Sequence, residues 1–253
     1  MEIPKLYDSH LLVFTFFFIF IYCLAYFVIL KHWSKKYRAE ASSCVMSLAH
    51  GTPAVFLALF SILKSQKSIS LNQLNFASPN TALQSMVLEF STAYFLMDLF
   101  HYIVLIPVDV LFIAHHLATL YVLLTCRYVL GHGAVAILGF LFLAEITTLC
   151  QNTWSLARYR KVDSKKAAKV YEFLSPIFFA YYTMVRGILG PLFAYKIGVF
   201  FASGMDGDLI PLWARISWMV VTVCTIGASL LWIMNKWLAL YRDRIKKEVK
   251  KIS

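Results

Sequence analysis

Charge is what this chain has least of. Only 15% of its 253 residues are charged, against 60% hydrophobic and 16% aromatic, and that balance excludes an ordinary soluble globular domain. Cysteine supplies no scaffold either. Cys23, Cys44, Cys126, Cys150 and Cys224 are odd in number, show no C-x-x-C pair and fall mostly within apolar runs, so they read as small packing residues rather than disulfides or zinc ligands. The seven histidines never repeat at H-x-x-x-H or H-x-x-H-H, the spacings that present two ligands on one helix face. A metal-dependent membrane oxidase, hydroxylase or hydrolase therefore ranks low, and no metal is expected. No internal repeat with matched broken helices points to a transporter.

Acidic residues are scarce too: 13 Asp and Glu face 24 Lys and Arg, a formal charge of +11. A basic balance can signal nucleic acid, but its placement decides otherwise. The segments Lys31–Arg38, Arg158–Lys169 and Lys236–Lys251 hold four, six and seven of the 24 basic residues. Basic clusters beside apolar runs are an orientation signal, which leaves no reason to expect nucleic acid.

What the chain has is long apolar runs. An uncharged stretch from Leu11 to Leu30 exceeds a signal-peptide core and lacks a cleavage site, so it is expected to remain as an anchor. Further spans are expected at Ser42–Leu63, Leu83–Leu105, Asp109–Leu124, Val129–Leu156, Phe173–Phe201 and Ile210–Trp237. Pro107 is placed in the first turn of the fourth, beside Asp109. The sixth carries Pro176, Gly187, Gly190 and Pro191 and is expected to kink. The architecture is therefore all-α and polytopic, with about seven transmembrane helices. With Glu2 and Asp8 before the first span and the basic clusters after alternate spans, the amino terminus is expected in the lumen and the tail in the cytosol.

Polar groups inside such spans are costly unless they face a partner or a wet cavity. Asp109–Leu124 contains His115, His116 and Thr119. A helix turns about 100° per residue, so only one of the two adjacent histidines can point fully into a cavity. Depth along each span puts His50, Asp98, His101, His115, His116 and Asn152 in one layer, with Glu145 and Arg186 deeper and close enough in depth to pair. Asp98 and His101 share a face, as do Glu145, Thr148 and Asn152. His50 serves equally well as a hydrogen-bonded bridge between helices or as a chemical group.

The order HHLAT, preceded by STAYFLMD and followed by EITTLCQN and RGILGP, resembles the TLC-domain family, which includes the ceramide synthases. The resemblance covers roughly Cys44 to Trp237. It implies a bundle or barrel of the last six helices around a lipid cavity with an anchor helix before it; with the basic clusters, the expected division is an anchor helix and basic cytosolic loop over 1–41, the TLC-type domain over 42–237 and a basic cytosolic tail over 238–253. It also implies that His115 and His116 would carry acyl transfer from acyl-CoA to a sphingoid amine, if the chain is an enzyme. The family's aspartate pair on the following helix is replaced here by Glu145, Thr147 and Thr148, which is more similar to the small TLC-domain proteins associated with membrane lipid composition. The expected function is binding, sensing or handling of acyl lipids or sphingolipids in membrane lipid homeostasis, with ceramide-synthase-type N-acyl transfer as the alternative. No cofactor is expected beyond acyl-CoA as a co-substrate of that alternative. Membrane lipids and a further copy of the chain are the expected partners. Lys250 and Lys251 in the KKIS tail resemble a dilysine retrieval signal, which places the protein in the endoplasmic reticulum.

Overall fold

The computed structural model describes residues 9–65, 74–205 and 208–252, the last of these as backbone alone at 243, 244 and 246–252. Glu2 and Asp8 lie outside the described residues, as do the side chains of Lys250 and Lys251. The described chain is helical: α1 (Leu11–Leu24), α2 (Lys35–Ser65), α3 (Ala82–Leu105), α4 (Val110–Leu124), α5 (Ala134–Glu145), α6 (Thr148–Arg160), α7 (Lys165–Tyr182), α8 (Gly190–Ala202) and α9 (Leu212–Ile252). Looser π turns continue α1 over Ala25–Ile29, α4 over Thr125–Leu130, and α7 over Thr183–Leu189 into α8.

Counting α5–α6 and α7–α8 as one span each, seven helices are long and apolar enough to cross a membrane. The 24 residues of α3 rise about 36 Å, more than the ~30 Å hydrocarbon core. This is a multi-pass membrane protein, apolar outward as well as inward. Phe16 and Phe20 on α1, Phe56 on α2 and Leu192 on α8 are all exposed, as expected of lipid-facing side chains.

Local chemistry sets several boundaries. Thr81 caps α3 with a reciprocal pair: its hydroxyl accepts from Gln84 N at 3.2 Å, and the Gln84 side chain accepts from Thr81 N at 2.9 Å. Asp109 caps α4 by accepting from Phe112 N, so Pro107 falls in the turn before this helix and not in its first turn. The fifth span starts later than its apolar run. Gly131 and Gly133 adopt positive φ, 66° and 91°, and make the left-handed turn from which α5 begins. That span also breaks at Ile146–Thr147, where the Thr147 hydroxyl donates to the Ala144 carbonyl at 3.1 Å and competes with the helical bond. In the sixth span the helix loosens into the π turn Thr183–Leu189 just before Pro191, whose nitrogen has no N–H to give to the preceding turn.

The spans close a ring whose order differs from chain order: α2, α3, α4, α9, α7–α8, α5–α6 and back to α2. The first helix stands outside the ring against α2 and α3, and Phe18 is fully buried there among Phe90 and Tyr94. The three basic segments meet at one end. Tyr37 stacks on Tyr159 at 5.3 Å and Arg160 lies over Trp33 at 5.1 Å. Nearby, the Lys236 ammonium sits 5.0–6.0 Å from the ring centres of Trp154, Phe178, Phe179 and Tyr182 and holds α9 to α6 and α7.

Candidate functional site

The ring is built around a half-open cavity of about 260 Å3. A single water needs only roughly 10–15 Å3 of such space. Eight of the ten polar residues expected at a site line it: Asp98, His115, His116, Thr119, Glu145, Thr148, Asn152 and Arg186. Ile137, Phe140, Leu141, Val185, Val221 and Ile226 form apolar walls.

The two neighbouring histidines have different surroundings. His116 is buried and both its ring nitrogens are engaged, Nδ1 with the Phe112 carbonyl at 3.0 Å and Nε2 with Asp98 Oδ2 at 3.0 Å. A carbonyl can only accept, so Nδ1 carries a proton, and the Nε2–Oδ2 contact requires one more between the ring and the carboxyl. Asp98 in turn accepts from Ser43 Oγ at 2.6 Å and from the Tyr94 hydroxyl at 3.4 Å. This ties α2, α3 and α4 together and leaves His116 no free nitrogen. His115 faces Trp232 on α9, and its Nδ1 is buried without a hydrogen-bond partner. It is the member of the pair with uncommitted chemistry. The Thr119 hydroxyl donates to the His115 carbonyl at 2.9 Å and not to either ring.

Glu145 ends α5 at the break. It accepts from Thr148 Oγ1 at 2.7 Å and lies 3.8 Å from His50 Nδ1. The approach of α2 to this break depends on Gly51, because a Cβ there would stand 2.5 Å from Glu145 Oε2 and 2.6 Å from Thr148 Cγ2. Arg186 does not pair with Glu145. Its Nη2 donates to the Ala144 carbonyl at 2.6 Å, since the break in the helix leaves that carbonyl open to a donor. Asn152 donates to Ser47 Oγ at 2.8 Å.

The other two candidates stand behind the wall. His50 bridges α2 to α3 through Ser91 Oγ at 3.1 Å and stacks on Tyr94 with ring centres 4.1 Å apart, a helix-bridging role. His101 turns toward α1, where Nδ1 meets the Tyr22 hydroxyl at 2.9 Å. Asp98 therefore holds His116 and Ser43 and not His101. Residues three apart on a helix diverge by about 60°, and at a junction of helices that is enough to give them different neighbours. Sequence reasoning missed Ser43, Ser47, Ser229 and Trp232, which also line the cavity. A serine or tryptophan in an apolar helix carries no charge to betray it. Among the described residues no three His, Cys, Asp or Glu side chains form a group that could hold a metal ion.

A TLC domain model matches residues 40–237, and the match takes in every residue that lines the cavity. The chain belongs to the TLC-domain family. It is also 51% identical over 240 residues to a TLC domain-containing protein of Arabidopsis thaliana, covering 94% of this chain and 92% of that one. No solved structure matches it. The matched region begins after α1, so the Phe18 packing and the Tyr22–His101 bond join a helix outside the family domain to one inside it.

Proposed function

We propose that this TLC-domain protein binds a single acyl lipid in the ring cavity and acts in membrane lipid homeostasis by sensing or handling acyl lipids or sphingolipids. The observation that carries the reading is the cavity itself, which is lined by apolar and hydrogen-bonding side chains together and bounded by spans of membrane length. Lipid extracted from the purified protein and identified by mass spectrometry is expected to contain acyl chains in amounts approaching one per chain. A lipid-free preparation that takes up no added acyl lipid contradicts the reading.

N-acyl transfer from acyl-CoA to a sphingoid base is a second reading, favoured by the uncommitted nitrogen of His115. With labelled acyl-CoAs and sphingoid amines, this reading expects product from the wild type and at least a hundredfold less from His115→Ala. Absence of product with every donor leaves the binding reading alone.

We also propose residence in the endoplasmic reticulum with the basic end cytosolic, on the three basic segments and on Lys250 and Lys251 of the tail. Val162, in the turn between α6 and α7, and Met205, after α8, are both exposed and on opposite sides in this topology. In sealed microsomes a membrane-impermeant maleimide is expected to label Val162→Cys directly and Met205→Cys only once the lumen is opened. The opposite pattern overturns the orientation.

A further inference from the structure

An arginine in an apolar helix of membrane length needs an anion or several acceptors, because hydrocarbon does not solvate it. Arg186 lines the cavity from the π turn Thr183–Leu189 with one carbonyl as partner, that of Ala144, and its cation lies 5.4 Å from the Tyr182 ring centre. Its Nε is buried and has no acceptor. Asp98 is engaged by His116, Ser43 and Tyr94, and Glu145, which is near enough to act on Arg186 electrostatically, accepts its hydrogen bond from Thr148 and makes no ion pair with the guanidinium. His115 lines the same cavity and holds a second buried nitrogen without a partner. Arg186 and His115 therefore line one cavity with apolar residues, and each keeps one nitrogen without a partner.

We infer that Arg186 is the head-group site for a monoanionic single-chain lipid, the carboxylate of a long-chain fatty acid, whose chain runs along the apolar walls. The inference rests on the acyl-lipid reading above and adds the identity of the head group. Charge matching selects no more than a monoanion, because Arg186 is the only Arg or Lys among the described lining residues and shares the lining with Asp98 and Glu145, so a phosphate monoester or a CoA would bring more negative charge than it can answer. Size selects one chain inside the cavity, because about 260 Å3 lies below the roughly 300–1,000 Å3 of typical ligand pockets. A carboxylate accepts from the Arg186 guanidinium and leaves its second oxygen for the same group or for the His115 ring.

The test compares [1-13C]oleate, methyl oleate and dioleoylphosphatidylglycerol for binding to delipidated full-length protein in detergent, in the wild type, Arg186→Gln and Arg186→Lys. Oleate is expected to bind the wild type at least tenfold more tightly than its methyl ester. The preference disappears in Arg186→Gln and survives in part in Arg186→Lys. The carboxylate infrared band of bound oleate shows it ionised in the wild type at pH 7 and protonated in Arg186→Gln, which separates a lost head-group contact from a misfolded protein. Equal binding of oleate and methyl oleate to the wild type overturns the inference but leaves the acyl-lipid reading standing. Tighter binding of the phosphatidylglycerol than of oleate also overturns it and transfers the site to a phosphodiester. Failure of all three to bind removes both.

Discussion

Arg127→Ala is expected to lower the unfolding midpoint in detergent by roughly 6–20 °C, the shift that corresponds to about 3–5 kcal/mol for a chain of this size. Arg127 projects from the π turn after α4 onto Glu89 of α3, with Nε and Nη2 at 2.9 and 2.8 Å from the same carboxylate oxygen. The other oxygen accepts from the backbone N–H of His10 at 2.8 Å, at the start of α1. Glu89 is only 1% exposed, so removing the guanidinium leaves its carboxylate with the His10 N–H and, at 3.9 Å, the His10 ring nitrogen. The double variant Glu89→Leu, Arg127→Met is expected to recover much of the loss, because it removes both charges and retains volume. If Arg127→Ala melts within 2 °C of the wild type, the pair is not the clasp between α1, α3 and α4 that its geometry indicates.

Asp98→Ala has the next largest expected effect. It leaves His116 Nε2, the Ser43 hydroxyl and the Tyr94 hydroxyl without their shared acceptor, at a cost of about 3–5 kcal/mol for a broken buried pair. The His116→Ala and Asp98→Ala losses should not add. A double-mutant cycle is expected to give coupling of about 1–3 kcal/mol, and His115→Ala, with no hydrogen-bond partner to strand, should fall well short of either single loss. Additive losses from Asp98→Ala and His116→Ala, or a His115→Ala loss as large as either, would contradict the assignment of His116 to the scaffold and His115 to the cavity.

Much of the fold is legible because the dominant signal, apolar length, is one-dimensional. Runs of twenty or so uncharged residues can only be spans, and the basic clusters between them give their grouping. The breaks inside spans are harder to see. The Ile146–Thr147 interruption depends on a threonine hydroxyl and a distant arginine competing for one carbonyl, an arrangement that only tertiary contact reveals. Ring order is not legible either, since placing α9 beside α4 requires knowing which faces meet.

At the site, cost is the signal that works: Asp98, His115, His116, Glu145 and Arg186 announce themselves because charge or imidazole in hydrocarbon is expensive. Their pairing does not follow from depth. Glu145 and Arg186 share a layer, yet Arg186 turns to Ala144 and Glu145 to Thr148. His50 and His101 share the shallower layer of His115 and His116, but they face α3 and α1 and not the cavity. Depth ranks candidates, and helix rotation decides which of them meet.

The most direct test of an acyl lipid in the ring cavity is photo-crosslinking with a fatty acid that bears a diazirine near the chain end, followed by peptide mapping of the adducts. The account predicts adducts on cavity residues such as Ile137, Leu141, Val221 and Ile226, suppressed by excess unlabelled oleate. Adducts confined to outward-facing residues such as Phe16, Phe56 and Leu192, and insensitive to unlabelled oleate, would contradict it.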